Sequence, residues 1–202
     1  MTADLGDLGW PVVTVSSCAG DREVYLRRPD LGRVIDDASR DQLKTHQSNW
    51  DLAIVVADGL SATAVHHQVA PLLRALHPHV DRLGLTVAPL VLASQGRVAL
   101  GDDIARTLGA RMVAVLIGER PGLSSPDSLG VYLTYDPQPT TTDAGRNCLS
   151  NIRPAGLPHE AAAAKLAWLI ATARSRRLTG VALKDESDAI GVVIPPKQLP
   201  PI

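Results

Sequence analysis

The feature that most constrains the fold is an uninterrupted apolar segment in the first third of the chain. Residues 51 to 57 read Asp-Leu-Ala-Ile-Val-Val-Ala, with no polar residue after the first. A strand that is apolar on both faces has to be covered on both faces, and such strands occur in parallel sheets that lie between two helical layers. The segment therefore predicts a strand near the centre of an α/β sheet.

A loop and a helix are predicted directly after this strand. Asp58-Gly-Leu-Ser61 contains a glycine between polar residues, and a stretch rich in Ala, Val, His and Leu follows it. Ser61 fits the position that caps a helix, and Pro71 predicts a kink or a restart within that helix. The sequence His77-Pro-His79 predicts a loop after the helix.

Two further apolar segments repeat the alternation of strand and helix. Residues 85–93 and 112–117 predict strands, and between them Gly101-Asp-Asp opens a helix that Gly109 ends. Strand–helix–strand passages in series predict right-handed crossovers and a mostly parallel sheet. We therefore predict a Rossmann-like, mostly parallel α/β sheet with helices on both faces, formed by a single domain over residues 1–202.

The second half of the chain predicts fewer regular elements. Residues 130–135 indicate a strand, and residues 136–151 indicate a polar loop. Residues 158–177 predict the strongest helix, because they begin with proline, contain a run of alanines and end in basic residues. Residues 190–194 are predicted to add one edge strand before two prolines end the pairing.

Composition excludes several classes of function. The formal net charge is -1, from 20 Lys and Arg against 21 Asp and Glu, so no field draws in nucleic acid. No apolar run is long enough for a membrane span, and Met1–Gly9 is short and acidic, unlike a signal peptide. Cys18 and Cys148 form no CxxC pair, so neither a disulfide framework nor a zinc site is predicted. We expect no nucleic-acid partner and no membrane partner.

The candidate catalytic motifs are incomplete. Gly59-Leu-Ser-Ala-Thr63 follows a strand as the nucleophile of a hydrolase does, but its last residue is threonine where that motif needs glycine. Ser61 is better explained as a helix cap, and Asp58 as a turn residue that binds backbone amides. The adjacent pair His66-His67 points in divergent directions on a helix, which argues against a shared metal ion. The residues alone predict no catalytic residue and no metal ligand.

A glycine-rich segment later in the chain is a candidate ligand site. Residues 118–126 are rich in Gly and Pro and leave the carboxyl end of a buried strand, which is where open α/β sheets bind ligands. The chain has no G-x-G-x-x-G and no G-x-x-x-x-G-K-[ST] pattern, so a dinucleotide or nucleoside triphosphate would lack its phosphate cradle. These residues therefore predict a ligand or partner surface without a phosphate loop.

Four blocks of sequence resemble one family of proteins. In chain order they read DREVYLRRPDLGR at residues 21–33, VADGLSA at 56–62, LIGERPGLS at 116–124 and RNCLSNIR at 146–153. All four, in this order, resemble the small (light) subunit of ethanolamine ammonia-lyase. The similarity extends over roughly residues 13–185, which is more than a shared α/β fold would produce.

The resemblance implies a fold, a partner and a cofactor. It implies a Rossmann-like domain that packs against a TIM-barrel large subunit in a hetero-oligomer, with adenosylcobalamin between them and its lower base still on cobalt. The D-x-H-x-x-G pattern of proteins that replace this base by histidine is absent, which agrees with that mode of binding. The resemblance further implies a carbon–nitrogen lyase that converts ethanolamine to acetaldehyde and ammonia by a radical mechanism, in which this subunit does not hold the substrate.

Three positions match cofactor contacts of the family: Val98, Glu119 and Cys148. The corrin rim carries amide side chains, so the Glu119 carboxylate would accept amide N–H bonds while backbone groups near Val98 and Cys148 complete the fit. Without the resemblance, Glu119 would be explained by a local salt bridge with Arg120 or Arg153. Cys148 would then be a small buried residue without a chemical role.

The amino terminus leaves an alternative open. Family members usually carry a longer helical region that helps to grip the large subunit, whereas about twenty residues precede the first block here, of which 1–12 are expected to be unstructured. The alternative prediction is a truncated, non-catalytic α/β binding module, and a hydrolase that uses Ser61 is a third. We expect a cytoplasmic location, with a bacterial microcompartment left open.

Overall fold

The structure is a computed structural model that describes residues 8–119 and 127–187. Within these ranges the chain forms one six-stranded sheet and five α-helices. The strands are β1 (Val12–Ser16), β2 (Trp50–Ala57), β3 (Leu90–Ser94), β4 (Ala110–Gly118), β5 (Leu129–Tyr135) and β6 (Asn147–Ile152). The helices are α1 (Arg22–Arg27), α2 (Asp37–Lys44), α3 (Ala62–Leu83), α4 (Leu100–Leu108) and α5 (His159–Arg176).

The sheet is mixed, with parallel strands in its first part. The order is β1-β3-β2-β4-β5-β6. The pairings of β1 with β3, β3 with β2 and β2 with β4 are parallel, whereas β5 pairs antiparallel with both β4 and β6. Residues 119–128 between β4 and β5 are too few for a helical crossover, which explains the reversal. The predicted α/β class with a mostly parallel sheet is confirmed, and the Rossmann-like detail stays a prediction.

Helices cover both faces of this sheet, as predicted. Side chains of α3 and α5, such as Leu73 and Leu166, form one apolar core with one face. Side chains of α2 and α4, such as Leu43 and Ile104, form a second core with the other face. Residues 52–57 of β2 point alternately into the two cores and are at most 1% exposed. The uninterrupted apolar segment is therefore a central strand, as its sequence predicts.

The prediction of a polar loop over residues 136–151 was wrong at its end. The residues from Asn147 onward belong to β6, which pairs with β5. In the sheet order β6 is the last strand, and only Leu149 and Ile152 are buried in it. An edge strand of this kind needs few apolar residues, so its sequence resembles a loop.

The prediction of a loop at His77-Pro-His79 was also wrong. These residues lie inside α3, which continues to Leu83 without the restart predicted at Pro71. A proline removes one backbone donor from a helix, but α3 buries a long apolar face against the sheet and α5. Tertiary packing, which stabilises most helices in proteins, outweighs the local effect of proline here.

The remaining local predictions differ from the structure mainly at the ends of elements. The strand predicted at residues 85–93 begins later, at Leu90, and α5 begins one residue after Pro158, which lies at the cap position. Ser61 caps α3 by accepting the Ala64 N–H at 3.2 Å, as predicted. The predicted edge strand at residues 190–194 lies outside the described residues, and the single domain over residues 1–202 stays a prediction.

Across the described ranges, the structure contains no helix with the length and apolar character that a bilayer crossing requires.

Close packing of α4 on β4 generates a stability prediction. A Cβ added at Gly101 would lie 2.2 Å from Cγ2 of Val115, so Gly101→Ala forces the helix away from the sheet. Overpacking of this kind destabilises by about 1–3 kcal/mol, against a gain in helix propensity of up to about 1 kcal/mol. We expect a lower free energy of unfolding in urea. Gly20→Ala, with no atom within 4 Å of the added carbon, is the control, and an equal effect of both changes would contradict the prediction.

Candidate functional site

Loops that leave the carboxyl ends of the parallel strands are tied to one another by Asp58. This residue directly follows β2. Its Oδ1 accepts the N–H groups of Gly59 at 2.9 Å and Gly96 at 3.1 Å, and its Oδ2 accepts the N–H of Gln95 at 3.1 Å. The predicted role of Asp58 as a residue that binds backbone amides is confirmed. Two of these amides belong to the loop after β3, so the carboxylate joins two loops.

A buried tyrosine joins the loop after β1 to the same edge. The Tyr25 ring is 0% exposed, with the guanidinium carbons of Arg22 and Arg97 at 4.7 and 4.2 Å from its centroid. Arg22 donates to the Gly59 carbonyl at 2.7 Å, and Arg97 donates to the Tyr25 carbonyl at 2.9 Å. Cation–π contacts and hydrogen bonds together hold three loops in place. Sequence reasoning assigned no role to these three side chains.

Val98 lies in the loop between β3 and α4. Its carbonyl accepts the N–H of Gly101 at 3.1 Å, so the residue is part of the turn that leads into α4. The side chain is partly buried and packs on the core between the sheet and the helices α2 and α4. Arg97 directly precedes Val98, so the contacts that Arg97 makes with Tyr25 also position Val98.

Glu119 directly follows β4 and is partly buried. Its Oε2 accepts hydrogen bonds from the Ser128 hydroxyl and from the N–H of Asn151, the latter at 3.3 Å. Its own N–H donates to the Ser128 carbonyl at 3.0 Å. Gly130 leaves room for the carboxylate, because a Cβ at this position would lie 2.9 Å from Oε1. The side chain is thus held beside the start of β5.

A salt bridge between Glu119 and Arg153 is not formed. The Arg153 guanidinium lies 4.0 Å from Asp127 and donates to the Asn151 side chain at 2.8 Å. Arg120, the other partner considered for Glu119, lies outside the described residues. In the described part of the chain, the charge of Glu119 therefore has no cation partner within salt-bridge distance.

Cys148 lies on β6, directly opposite Tyr132 of β5. The prediction that it is a small buried residue, made without the resemblance, was wrong, because the residue is exposed. Partial desolvation raises the pKa of its thiol, a hydrogen bond from Tyr132 lowers this pKa, and the charge of Glu119 raises it. Burial is also the main cause that raises the pKa of Tyr132, with further contributions from Cys148 and Glu119. The three groups therefore form one electrostatic cluster.

The structure brings the three sequence-predicted positions to one side of the sheet. Glu119 and Cys148 both contribute to the raised pKa of Tyr132. Tyr132 and Val98 pack on the same core, which lies between the sheet and the helices α2 and α4. Tyr132 was missed because an aromatic residue in a strand normally indicates core packing. Ser128 was missed because a lone serine beside a turn gives no signal.

A cavity of about 240 Å³ opens on the opposite face of the sheet, beside the first turns of α3. Asp58, His66 and Ser94 contribute polar groups to its wall, and Val98, Glu119 and Cys148 do not line it. Among the residues that the structure describes, no group of three or more His, Cys, Asp or Glu side chains could hold a metal ion.

The cluster generates a prediction about the reactivity of Cys148. Its raised pKa keeps the thiol protonated at neutral pH, and the thiolate is the form that iodoacetamide alkylates. In a Cys18→Ser background, the pH at half-maximal alkylation rate should fall in Glu119→Gln, because a negative charge is removed. It should rise in Tyr132→Phe, because a donor to the thiolate is lost. Shifts in the opposite directions would contradict this description of the cluster.

Comparison with known proteins identifies the family. A family model described as "Ethanolamine ammonia-lyase light chain (EutC)" matches residues 1–184. The "Ethanolamine ammonia-lyase small subunit" of Rhodopseudomonas palustris (strain BisA53) is 55% identical over 188 residues, which are 93% of this chain and 72% of that protein. The protein of the same name from Pseudomonas syringae pv. tomato is 49% identical over 191 residues, 93% of this chain and 67% of that protein. The chain therefore belongs to the ethanolamine ammonia-lyase light chain family.

Proposed function

We propose that the chain holds one side of adenosylcobalamin in an ethanolamine ammonia-lyase, with a large subunit that supplies the other side and the substrate site. Membership of the light chain family and the name "small subunit" of its relatives support a hetero-oligomer of this kind. In this proposal Val98, Glu119 and Cys148 contact the cofactor. The expected location is the cytoplasm, with a bacterial microcompartment as the alternative.

The main support for the proposal is the unequal hydrogen bonding of the two oxygens of the Glu119 carboxylate. Ser128 and Asn151 both donate to Oε2, while Oε1 accepts no hydrogen bond from any residue in the described ranges. An ionised carboxylate is an acceptor with capacity for several donors, so this side chain is oriented by one oxygen and available through the other. The amide groups on a corrin rim are donors of the kind that Oε1 would accept.

The other two positions fit a contact through backbone and small side chains. Cys148 is exposed on the outermost strand in the sheet order, and Val98 lies in a turn at the start of a helix. The Val98 side chain is aliphatic, and the raised pKa of the Cys148 thiol keeps this side chain uncharged at neutral pH. A large macrocycle with an apolar surface and polar rim would therefore meet one oriented carboxylate and two nearly neutral contacts.

Within this proposal the chain positions groups and performs no covalent chemistry. Adenosylcobalamin, when bound, would supply the adenosyl radical that starts the conversion of ethanolamine to acetaldehyde and ammonia. Ser61 would be the nucleophile in the alternative hypothesis of a hydrolase. This residue is buried and caps α3, and its hydroxyl accepts the Ala64 N–H. The geometry therefore favours a cofactor-holding subunit over a hydrolase.

Reconstitution tests the proposed function. The chain is produced together with a large subunit of an ethanolamine ammonia-lyase and supplied with adenosylcobalamin, and acetaldehyde release is measured. We expect the two polypeptides to purify together and to release acetaldehyde only when both are present. Complex formation without activity would favour the non-catalytic binding module, and absence of any complex would overturn the proposal.

Removal of the Glu119 carboxylate should weaken cofactor binding more than folding. A hydrogen bond to a charged group contributes about 1.5–3 kcal/mol, so Glu119→Ala should raise the Kd of adenosylcobalamin roughly ten- to a hundredfold in the reconstituted complex. Glu119 directly follows β4 and is only partly buried, so water can replace the carboxylate as the acceptor for Ser128 and Asn151, and the melting temperature of the chain should fall only slightly. Binding is measured by equilibrium dialysis.

The control for this measurement is Glu186→Gln, which changes an exposed carboxylate in another part of the chain. It should leave the Kd of adenosylcobalamin unchanged. An unaltered Kd in Glu119→Ala would remove Glu119 from the proposed site.

A further inference from the structure

A buried ion pair without an assigned role lies beneath the proposed cofactor positions. It joins Asp102, in the first turn of α4, to Arg146, which directly precedes β6. The two terminal nitrogens of Arg146 donate to the two carboxylate oxygens of Asp102 at 2.7 and 2.6 Å. The side chains of Arg146 and Asp102 are 1% and 8% exposed. Arg146 also donates to the buried Thr134 hydroxyl at 2.9 Å.

Stability alone does not explain this pair. Desolvation of two charges offsets most of their attraction, and a well-packed apolar pair of similar volume often stabilises a protein equally well. The helix α4 already buries Leu100, Ile104 and Leu108 in the core. Apolar contacts have no preferred direction, whereas a bidentate guanidinium–carboxylate contact defines both a distance and an orientation. The pair is therefore suited to a geometric task.

The two ends of the ion pair lie beside two of the proposed cofactor contacts. The Val98 carbonyl accepts the Gly101 N–H at 3.1 Å, so Val98 is coupled to the first turn of α4, which contains Asp102. Arg146 has extended backbone and lies two residues before Cys148, so the two side chains are on the same face of the strand. The ion pair thus links the turn of Val98 to the strand of Cys148.

Resting on the proposed function, we infer that Asp102 and Arg146 are positioning residues that set the distance between Val98 and Cys148 before the cofactor binds. Neither residue contacts the cofactor. Their role is to hold two elements, which approach from different parts of the chain, in the relative position that the corrin requires. Residues that act in this way on ligand-contacting groups affect binding even though they touch no ligand.

An apolar replacement of the pair tests this inference in the reconstituted complex. The variant Asp102→Leu/Arg146→Met/Thr134→Val removes Arg146 together with its two buried side-chain partners. The remaining partners of the Arg146 guanidinium are the partly buried Thr141 carbonyl at 3.4 Å and the exposed Asp143 carboxylate at 3.5 Å, and water can replace Arg146 at both. We expect a melting temperature close to that of the unaltered chain. The Kd of adenosylcobalamin should rise about ten- to a hundredfold, by analogy with the effect of residues that orient the ligands of metal ions. The KM for ethanolamine at saturating cofactor should not change.

A second variant separates charge from geometry. Arg146→Lys keeps the positive charge but replaces the planar fork by a single ammonium, which cannot hold both carboxylate oxygens in the same way. It should raise the Kd of adenosylcobalamin by a smaller factor than the apolar variant. If the apolar variant does not fold, Arg146→Lys decides alone, and an unchanged Kd would overturn the inference.

The matched control lies on the same helix. Asp103 is the next residue of α4 and is held by Arg40 of α2 at 3.1 and 2.8 Å, and it also accepts the Ile35 N–H at 3.1 Å. The variant Arg40→Met/Asp103→Asn removes this ion pair but keeps an acceptor for Ile35. Because this contact does not reach β6, the Kd of adenosylcobalamin should stay unchanged.

The outcomes distinguish this inference from the proposed function. If Glu119→Ala weakens binding but the apolar variant binds normally, the positioning role is wrong and the proposed function stands. Equal weakening in the Arg40 and Asp103 control also overturns the positioning role, because any loosening of α4 would then suffice. If the unaltered complex does not bind adenosylcobalamin, the proposed function itself fails.

Discussion

Coverage of the parallel strands on both faces is the constraint on which the rest of the structure depends. Residues 52–57 of β2 are buried from both sides, between α3 and α5 on one face and α2 and α4 on the other. With the faces occupied, the ends of the strands are where the sheet can present polar groups to a ligand. The backbone N–H groups of the loops at these strand ends need hydrogen-bond acceptors, and Asp58 provides them. The contact between Tyr25 and Arg97 holds the same loops together.

Polar groups at this edge differ in how far the chain itself satisfies them. Asp58 accepts three backbone N–H groups, and both of its carboxylate oxygens take part in joining loops. Glu119 is held through one oxygen, by Ser128 and Asn151. This difference separates a structural carboxylate from one that suits recognition of a ligand, although both directly follow a strand of the same sheet. It supports a role for the chain as one half of a binding site.

Particular segments show why the fold was only partly predictable. The strand at residues 52–57 was recognised because burial on both faces demands apolar residues throughout. β6 was missed because an outer strand exposes most of its side chains, and the length of α3 was misjudged because Pro71 is locally unfavourable in a helix. In both cases pairing or packing with a distant segment decides the structure. A local pattern contains no record of such a partner.

By itself the sequence determined the class of fold, the capping roles of Ser61 and Gly109 and, through four blocks that resemble it, the family. The resemblance to this family also predicted Val98, Glu119 and Cys148 as cofactor contacts. Only the tertiary structure decided that Tyr132 interacts with Glu119 and Cys148, and that Asp102 meets Arg146 across 44 residues of sequence. The physical reason is that burial periodicity and capping act within one element, whereas ion pairs and cross-strand contacts arise only once separate elements pack together.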